Sequence, residues 1–384
     1  MKYLVLTPDF PPARGGVQTL VEVLARGLAA SHEVRVLAPA MEGAAAVDRK
    51  APYAVRRVDI RGGGPARKIW AWVAATRRGV AWADVVLCGH IAVSPAAWFW
   101  GWVYHTPYVI YVHALEITSR RRPGIRRFLM RRAAGVVTGS RYARGLVAEC
   151  AGVPASRVVL VPPAVAPAMV ARANAVQAPA ALLKPDGKVL LSVARLRRDE
   201  RYKGHDIVIR ALPLIRRSVP GCLYWVVGGG DDGPRLRALA RKMGVEDGVV
   251  FWGEVEDVTP FYRACDVFVM VSRRIRRDGL EKAEGFGLVY LEASLFGKPI
   301  VAGRVGGALD AVVDGETGVL VGPESPEEVA AAVVGILRSP DRGAALGTAG
   351  RARVLSSFTA ARQAADVHKA VAYWMEGGRV RRNG

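Results

Sequence analysis

Acidic side chains are in short supply. The 384 residues carry 34 Asp and Glu against 55 Lys and Arg, a formal charge of +21. The deficit is uneven, for residues 1–167 hold 9 acidic and 23 basic side chains. That asymmetry points the first half toward an anionic partner: membrane surface, phospholipid headgroup, polyprenyl phosphate or nucleic acid. Cysteine is scarce too. Cys88, Cys150, Cys222 and Cys265 lie far apart with no C-x-x-C, so no zinc site is visible and buried thiols in a reducing compartment are predicted. Long apolar runs are missing. The one stretch of spanning length, Ile91 to Val112, is interrupted by Pro95, His105 and Pro107, so a helix and then a strand are expected there. Met1 to Phe10 reads as a strand entering a loop rather than a signal peptide, because its apolar core is short and Asp9 and two prolines follow. These absences predict a cytoplasmic protein, with the basic half able to sit on the cytoplasmic membrane face. Only two Asn and three Gln occur, a composition that points to a thermophilic source. No D-x-D, internal repeat or low-complexity tract is present.

What is present is centred on Glu284-Gly-Phe-Gly-Leu-Val-Tyr-Leu-Glu292, continued by Ala293-Ser-Leu-Phe-Gly297-Lys-Pro299. Leu288, Val289, Leu291 and Leu295 recur at helical spacing, which predicts a helix from about Gly287 to Gly297 and a buried strand from Ile300. A helix entered through glycines leaves backbone N–H groups that favour a phosphate. Carboxylates such as Glu284 and Glu292 accept hydrogen bonds from paired hydroxyls, as in ribose or a hexose. Anion plus polyol describes a sugar nucleotide. The run EGFGLVYLEASLFGKPIVAG resembles the signature of glycosyltransferase family 4, retaining enzymes of GT-B architecture. That resemblance implies two Rossmann-like parallel-sheet domains facing a central cleft.

Short apolar strands alternate with helical stretches from Tyr3 to Val161 and again from Lys188, the pattern of two α/β units. The expected divisions are an acceptor domain over 1–167, an Ala- and Pro-rich linker over 168–187, a donor domain over 188–357, and a final helix with basic tail over 358–384 that crosses back to the first domain. In such sheets ligands bind beyond the carboxyl ends of strands. Gly15 and Gly16 follow the first strand and open a helix, a geometry that can cradle phosphate. Their loop resembles the family's N-terminal signature, which implies donor phosphates over Gly15 and Gly16 and an acceptor contact at Asp9. His113 ends the strand Tyr108–Val112 and resembles the family's cleft histidine, facing the transferred sugar and the acceptor.

Arg195 stands at a strand end and Lys203 opens the next helix, cations suited to a diphosphate. ARLRRDERYKGHD resembles the family's donor-diphosphate pair, with extra residues between the two cations. The turn at Gly253 and Val255 is implied to hold the nucleobase through backbone groups. Glu284, Phe286, Gly287, Leu288 and Glu292 complete the implied donor site, with Glu284 on sugar hydroxyls and Glu292 on ribose. Ser272 to Gly279 reads as a loop leading into Glu284, and its arginines before the EGFG run resemble the phosphatidylinositol mannosyltransferase-like branch, which implies GDP-mannose as donor and a lipid-linked, phosphoinositol or glycan acceptor. Glucosyl or N-acetylglucosaminyl transfer from a UDP-sugar is the enzymatic alternative. No cofactor is expected, and no metal, since basic residues can offset the diphosphate. Two further classes are a nucleic-acid-binding protein, against which the arginines fit no known module, and a non-catalytic sugar-nucleotide sensor. Arg121, Arg126 and Arg131, with Phe128 between them, are read as a basic face for an anionic membrane. The nearby aromatic run from Trp98 to Tyr104 is read as core.

Overall fold

The computed structural model describes residues 1–60, 62, 64–118, 123–175, 186–277 and 280–380. The chain forms two units, Met1–Ala166 with Phe358–Gly384, and Pro167–Ser357. The first is built on seven strands: β1 (Lys2–Leu6), β2 (Glu33–Pro39), β3 (Ala54–Val58), β4 (Val85–Cys88), β5 (Tyr108–Val112), β6 (Gly135–Thr138) and β7 (Val158–Leu160). They lie in the order β3-β2-β1-β4-β5-β6-β7, every neighbouring pair parallel. Strands β4, β5 and β6 are buried throughout, so they read as unbroken apolar runs, as parallel strands covered on both faces must. Alternate residues feed two cores. Leu4, Leu6, Val86, Ile110 and Val112 pack under helices Ser94–Tyr104 and Arg141–Ala151, through Ala97, Leu146 and Val147. Tyr3, Val5, Leu87, Val109 and Tyr111 pack with Leu20, Val21 and Leu24 of helix Gly16–Ala29 and with Val367, Val371 and Trp374 of the terminal helix Ala360–Val380.

The second unit contains β8 (Val189–Val193), β9 (Leu223–Val227), β10 (Val249–Gly253), β11 (Val267–Met270), a two-stranded antiparallel hairpin of β12 (Ile275–Arg277) and β13 (Leu280–Lys282), then β14 (Ile300–Gly303) and β15 (Gly318–Val321). Its main sheet runs β10-β9-β8-β11-β14-β15, again parallel. In each sheet the first strand of the unit sits centrally with strands added to both sides. This creates a switch point beside β1 and beside β8, where ligands collect at the carboxyl edge.

Four local expectations need correction. The stretch read as linker begins with a helix, Pro167–Asn174, because Pro at its first position and the Ala-rich PAMVARAN suit helix formation; residues 176–185 lie outside the described residues. The segment read as a loop before Glu284 carries the hairpin β12–β13, and Asp278-Gly279 between its strands is a hairpin signal. Cys88, Cys222 and Cys265 are buried but Cys150 is exposed, beside the buried stripe that ends in Val147 and Ala151. The aromatic run is not all core: Trp98, Phe99 and Trp102 are exposed, while Trp100 is half-buried and donates its indole N–H to the Val73 carbonyl at 2.6 Å.

A buried polar chain runs beneath the carboxyl edge of the second sheet. The Tyr224 hydroxyl donates to Ser192 Oγ at 2.8 Å, and Ser192 in turn donates to the Val269 carbonyl. Tyr224 therefore accepts from His205 Nδ1–H at 3.0 Å, leaving His205 Nε2 buried without a partner among the described residues. Burial, and then the Lys203 charge, pushes the His205 pKa down to about 4. The unfolded chain therefore takes up the proton first as pH falls. Stability is present above about 6.5 and is lost between there and about 4. Calorimetry should show wild type losing about 2 kcal/mol more than His205→Gln between pH 7.5 and 5. An identical pH slope in both would contradict the tautomer and burial described.

Candidate active site

The carboxyl edge of the second sheet is shaped by backbone packing. Leaving β8, Ala194 N–H donates to the Val227 carbonyl and Leu196 N–H to that of Gly229. Gly228, at φ 130°, lies so close to the Ala194 carbonyl that a Cβ would collide with it. Only glycine lets the two strand ends approach, and Arg195 is thereby pushed outward. Its side chain is more than half exposed, and its guanidinium bonds Glu200 Oε1 at 2.5 Å. Glu200 and Lys203 lie on the 3₁₀ segment Arg198–Lys203, formed by the additional residues between the two cations and kinked at Glu200, whose φ of −113° is not helical. Glu200 Oε2 is buried with no partner among the described residues.

Lys203 Nζ lies 3.3 Å from Glu284 Oε2, both side chains largely buried at 16% and 12% exposure. Gly307 N–H donates to the Glu284 carbonyl at 2.8 Å and fixes the backbone ahead of the next helix. That helix is Leu288–Leu295. Its cap, Gly287, has φ 92°, left-handed backbone that disfavours other residues, and no side chain caps the helix start. Tyr290 pins the helix to β11 by donating to the Met270 carbonyl at 2.8 Å. Phe286 is buried and Leu288 half-buried at this start. Further along, Glu292 Oε2 accepts from the Tyr262 hydroxyl at 2.8 Å. Burial raises the Glu292 carboxyl above its ordinary pKa, partly offset by that hydroxyl. At the next strand end, the Gly253 carbonyl accepts from Gly228 N–H at 2.7 Å, and Val255 is half-buried in the turn that follows. Arg195, Lys203, Glu284 and the helix start thus gather at the ends of β8 and β11, with Gly253 ending β10 and Val255 in the turn after it.

In the first unit, Thr7 Oγ1 donates to the Asp9 carbonyl at 2.7 Å and leaves the Asp9 side chain exposed. Gly15 precedes helix Gly16–Ala29, whose start also lacks a side-chain cap. His113 is half-buried, stacked on Tyr111 with ring centroids 5.2 Å apart. Its Nε2 lies 2.7 Å from the Gly89 carbonyl. Glu116, nearly fully buried, accepts His113 N–H at 3.2 Å through Oε1 and lies 2.8 Å from His90 Nε2 through Oε2. Burial pushes Glu116 up, but the facing His90 and these hydrogen bonds outweigh it, so its pKa is net lowered. Burial lowers His113, and the partial offset from Glu116 leaves it neutral-favouring.

Sequence reasoning missed Glu200, Tyr262, His90 and the role of Glu116. Only Glu116 carried a signal, its spacing of three from His113. The membrane-face arginines divide. Arg131 is exposed, Arg121 lies outside the described residues, and Arg126 turns inward to donate to the Glu116 carbonyl at 2.9 Å. Arg126 is corrected from surface to support, because that carbonyl offers its long side chain a fixed acceptor.

A family model described as Glycosyltransferase Family 4 matches residues 14–168, and one described as Glycosyl transferases group 1 matches residues 187–339. The chain is similar to the GDP-mannose-dependent alpha-(1-6)-phosphatidylinositol monomannoside mannosyltransferase of Mycolicibacterium smegmatis, 35% identical over 92% of this chain and 94% of that one. It is also similar to the D-inositol 3-phosphate glycosyltransferase of Acidothermus cellulolyticus, 38% identical over 50% of this chain and 42% of that one. Among solved structures, Anabaena Alr3699/HepE in complex with UDP and glucose superposes with a TM-score of 0.79 at 20% identity, covering 97% of this chain and 100% of that one. The sucrose-phosphate synthase of Thermosynechococcus elongatus gives a TM-score of 0.78 at 22% identity, covering 98% and 100%. Both share the fold.

Proposed function

The chain belongs to glycosyltransferase family 4, and from that premise we propose that it moves a mannosyl group from GDP-mannose, with retention, onto an inositol-bearing lipid or related glycan acceptor. The observation that carries the reading is the gathering of Arg195, Lys203, Glu284 and an uncapped helix start at one sheet edge. In the donor complex Arg195 exchanges the Glu200 carboxylate for phosphate oxygens, which match its planar fork. Lys203 keeps one N–H on Glu284 and offers its other two to the diphosphate. Together with the N–H groups at Leu288 they stabilise charge developing on the leaving group, so no metal is required in this scheme. Glu284 accepts hydrogen bonds from the sugar hydroxyls. Glu292, oriented by Tyr262, takes the ribose, and Gly253 and Val255 hold the base by their backbone. In the first unit, Gly15 and Gly16 at their uncapped helix start offer backbone N–H groups to phosphate, while Asp9 and His113 serve the acceptor. The leaving phosphate takes the acceptor proton, and no side chain becomes a covalent nucleophile. Transfer of labelled mannose from GDP-mannose to a phosphatidylinositol mannoside tests this; no transfer to any inositol-bearing acceptor by folded protein would overturn the acceptor class.

The acceptor class favours work at a membrane surface, and one face of the first unit suits that. Among the described residues, 8 of the 14 exposed large hydrophobic side chains belong to three neighbouring helices, Pro65–Trp82, Ser94–Tyr104 and Pro123–Arg132. Trp70 and Trp102 are the most exposed, at 71% and 74%, and Arg127, Arg131 and Arg132 accompany them. Aromatic rings beside arginines suit an anionic bilayer interface. Among the described residues, no helix is long and apolar enough to cross a membrane. Replacing Trp70 and Trp102 together by Glu should weaken partition onto phosphatidylinositol-containing vesicles by about 10²-fold. Unchanged sedimentation with vesicles would count against docking by this face.

A further inference from the structure

His113 is held by two neighbouring strand-end loops that are tied to one another. Strands β4 and β5 pair in parallel, so Gly89-His90 and His113-Ala114 leave the same edge side by side. The hydrogen positions follow from which partners can only accept or only donate. The Gly89 carbonyl can only accept, so His113 Nε2 carries the hydrogen of their 2.7 Å bond. Neutral His113 then has an unprotonated Nδ1, which has no partner among the described residues. The Ala92 backbone N–H can only donate, and it lies 3.0 Å from His90 Nδ1. His90 therefore donates Nε2–H to Glu116 at 2.8 Å. Glu116 closes the loop by taking His113 N–H on its other oxygen. Between them Ala114 holds φ 75°, left-handed backbone that a non-glycine residue adopts only under constraint.

We propose that Glu116 and His90 are positioning residues that hold His113 as its Nε2–H tautomer, so that Nδ1 meets a hydroxyl of the substrate rather than a phosphate oxygen. A lone pair accepts from O–H and repels an anionic oxygen, so tautomer choice becomes substrate choice at this point. The hydroxyl contact rests on the transferase reading; the tautomer does not. Glu116→Ala removes two bonds, one across the loops to His90 and one within its own loop to His113 N–H. His90→Ala removes one, and His90→Gln can restore it, because its amide offers an oxygen to Ala92 and an N–H to Glu116.

The test is nitrogen-15 NMR of the histidine rings in the full chain, without substrate, alongside steady-state transfer from GDP-mannose. In wild type His113 should show one neutral Nε2–H tautomer. In Glu116→Ala it should populate both, with kcat down by about 10²-fold and the donor KM within about threefold. His90→Ala should move both readouts the same way, and His90→Gln should return most of kcat and the single tautomer. Should Glu116→Ala fail to fold, the two His90 variants carry the same comparison. A single Nε2–H tautomer persisting in folded Glu116→Ala or His90→Ala would overturn the proposal. So would a kcat loss that only tracks the unfolded fraction. Wild type that transfers nothing from GDP-mannose while its tautomer responds as described would sink the donor reading and leave the tautomer assignment standing.

Discussion

Glu284→Gln should lower kcat by about 10³-fold while the melting temperature stays within a few degrees. The substitution keeps the size of the side chain and a polar contact for Lys203, so packing at this buried site is preserved. What it removes is charge. A carboxylate accepting two sugar hydroxyls makes charge-assisted bonds worth about 1.5–3 kcal/mol each, and those that strengthen as the sugar becomes cationic act on kcat rather than on KM. Losing two of them corresponds to roughly three powers of ten. Steady-state kinetics with calorimetry on the same sample decides it. A variant turning over within threefold of wild type would remove Glu284 from the chemistry.

The second large effect is expected at Lys203. Lys203→Ala should weaken GDP binding by about 10²-fold and leave guanosine binding nearly unchanged. Two losses add. The ammonium no longer meets the diphosphate, and Glu284, at 12% exposure, is left as an unneutralised carboxylate facing an anion. Neither involves the base or the ribose, so the nucleoside should bind as before. Titration calorimetry with both ligands separates the two cases, and equal losses would mean Lys203 supports the fold of the site rather than contacting phosphate.

Much of this architecture was legible because parallel strands buried on both faces leave unbroken apolar runs. The residues that follow such runs must stand at the ligand-binding edge. That logic placed Arg195 after β8, His113 after β5 and Gly253 at the end of β10. The glycines around Phe286 announced a helix start, and Gly287 with φ 92° is where the chain turns into it. The remainder depends on contacts that no local pattern encodes. His90 and Glu116 meet because β4 and β5 are neighbours, although 26 positions separate them. Glu200 reaches Arg195 from a kink within the 3₁₀ segment Arg198–Lys203, which no local pattern announces. The helix Ser94–Tyr104 is apolar nearly all round, so spacing could not tell which rings face solvent. Arg126 looked like surface charge because its neighbours are arginines, whereas the carbonyl that captures it lies ten residues earlier.

The most direct test of the central claim is titration calorimetry of the full chain with GDP, GDP-mannose, UDP and ADP, each with EDTA. The account predicts that GDP and GDP-mannose bind without metal, at least about tenfold tighter than UDP or ADP. Tighter binding of UDP would contradict the mannosyl donor while keeping the enzyme class. Absence of binding by all four nucleotides to folded protein would contradict the assignment of Arg195, Lys203 and Glu284 to a nucleotide-sugar site.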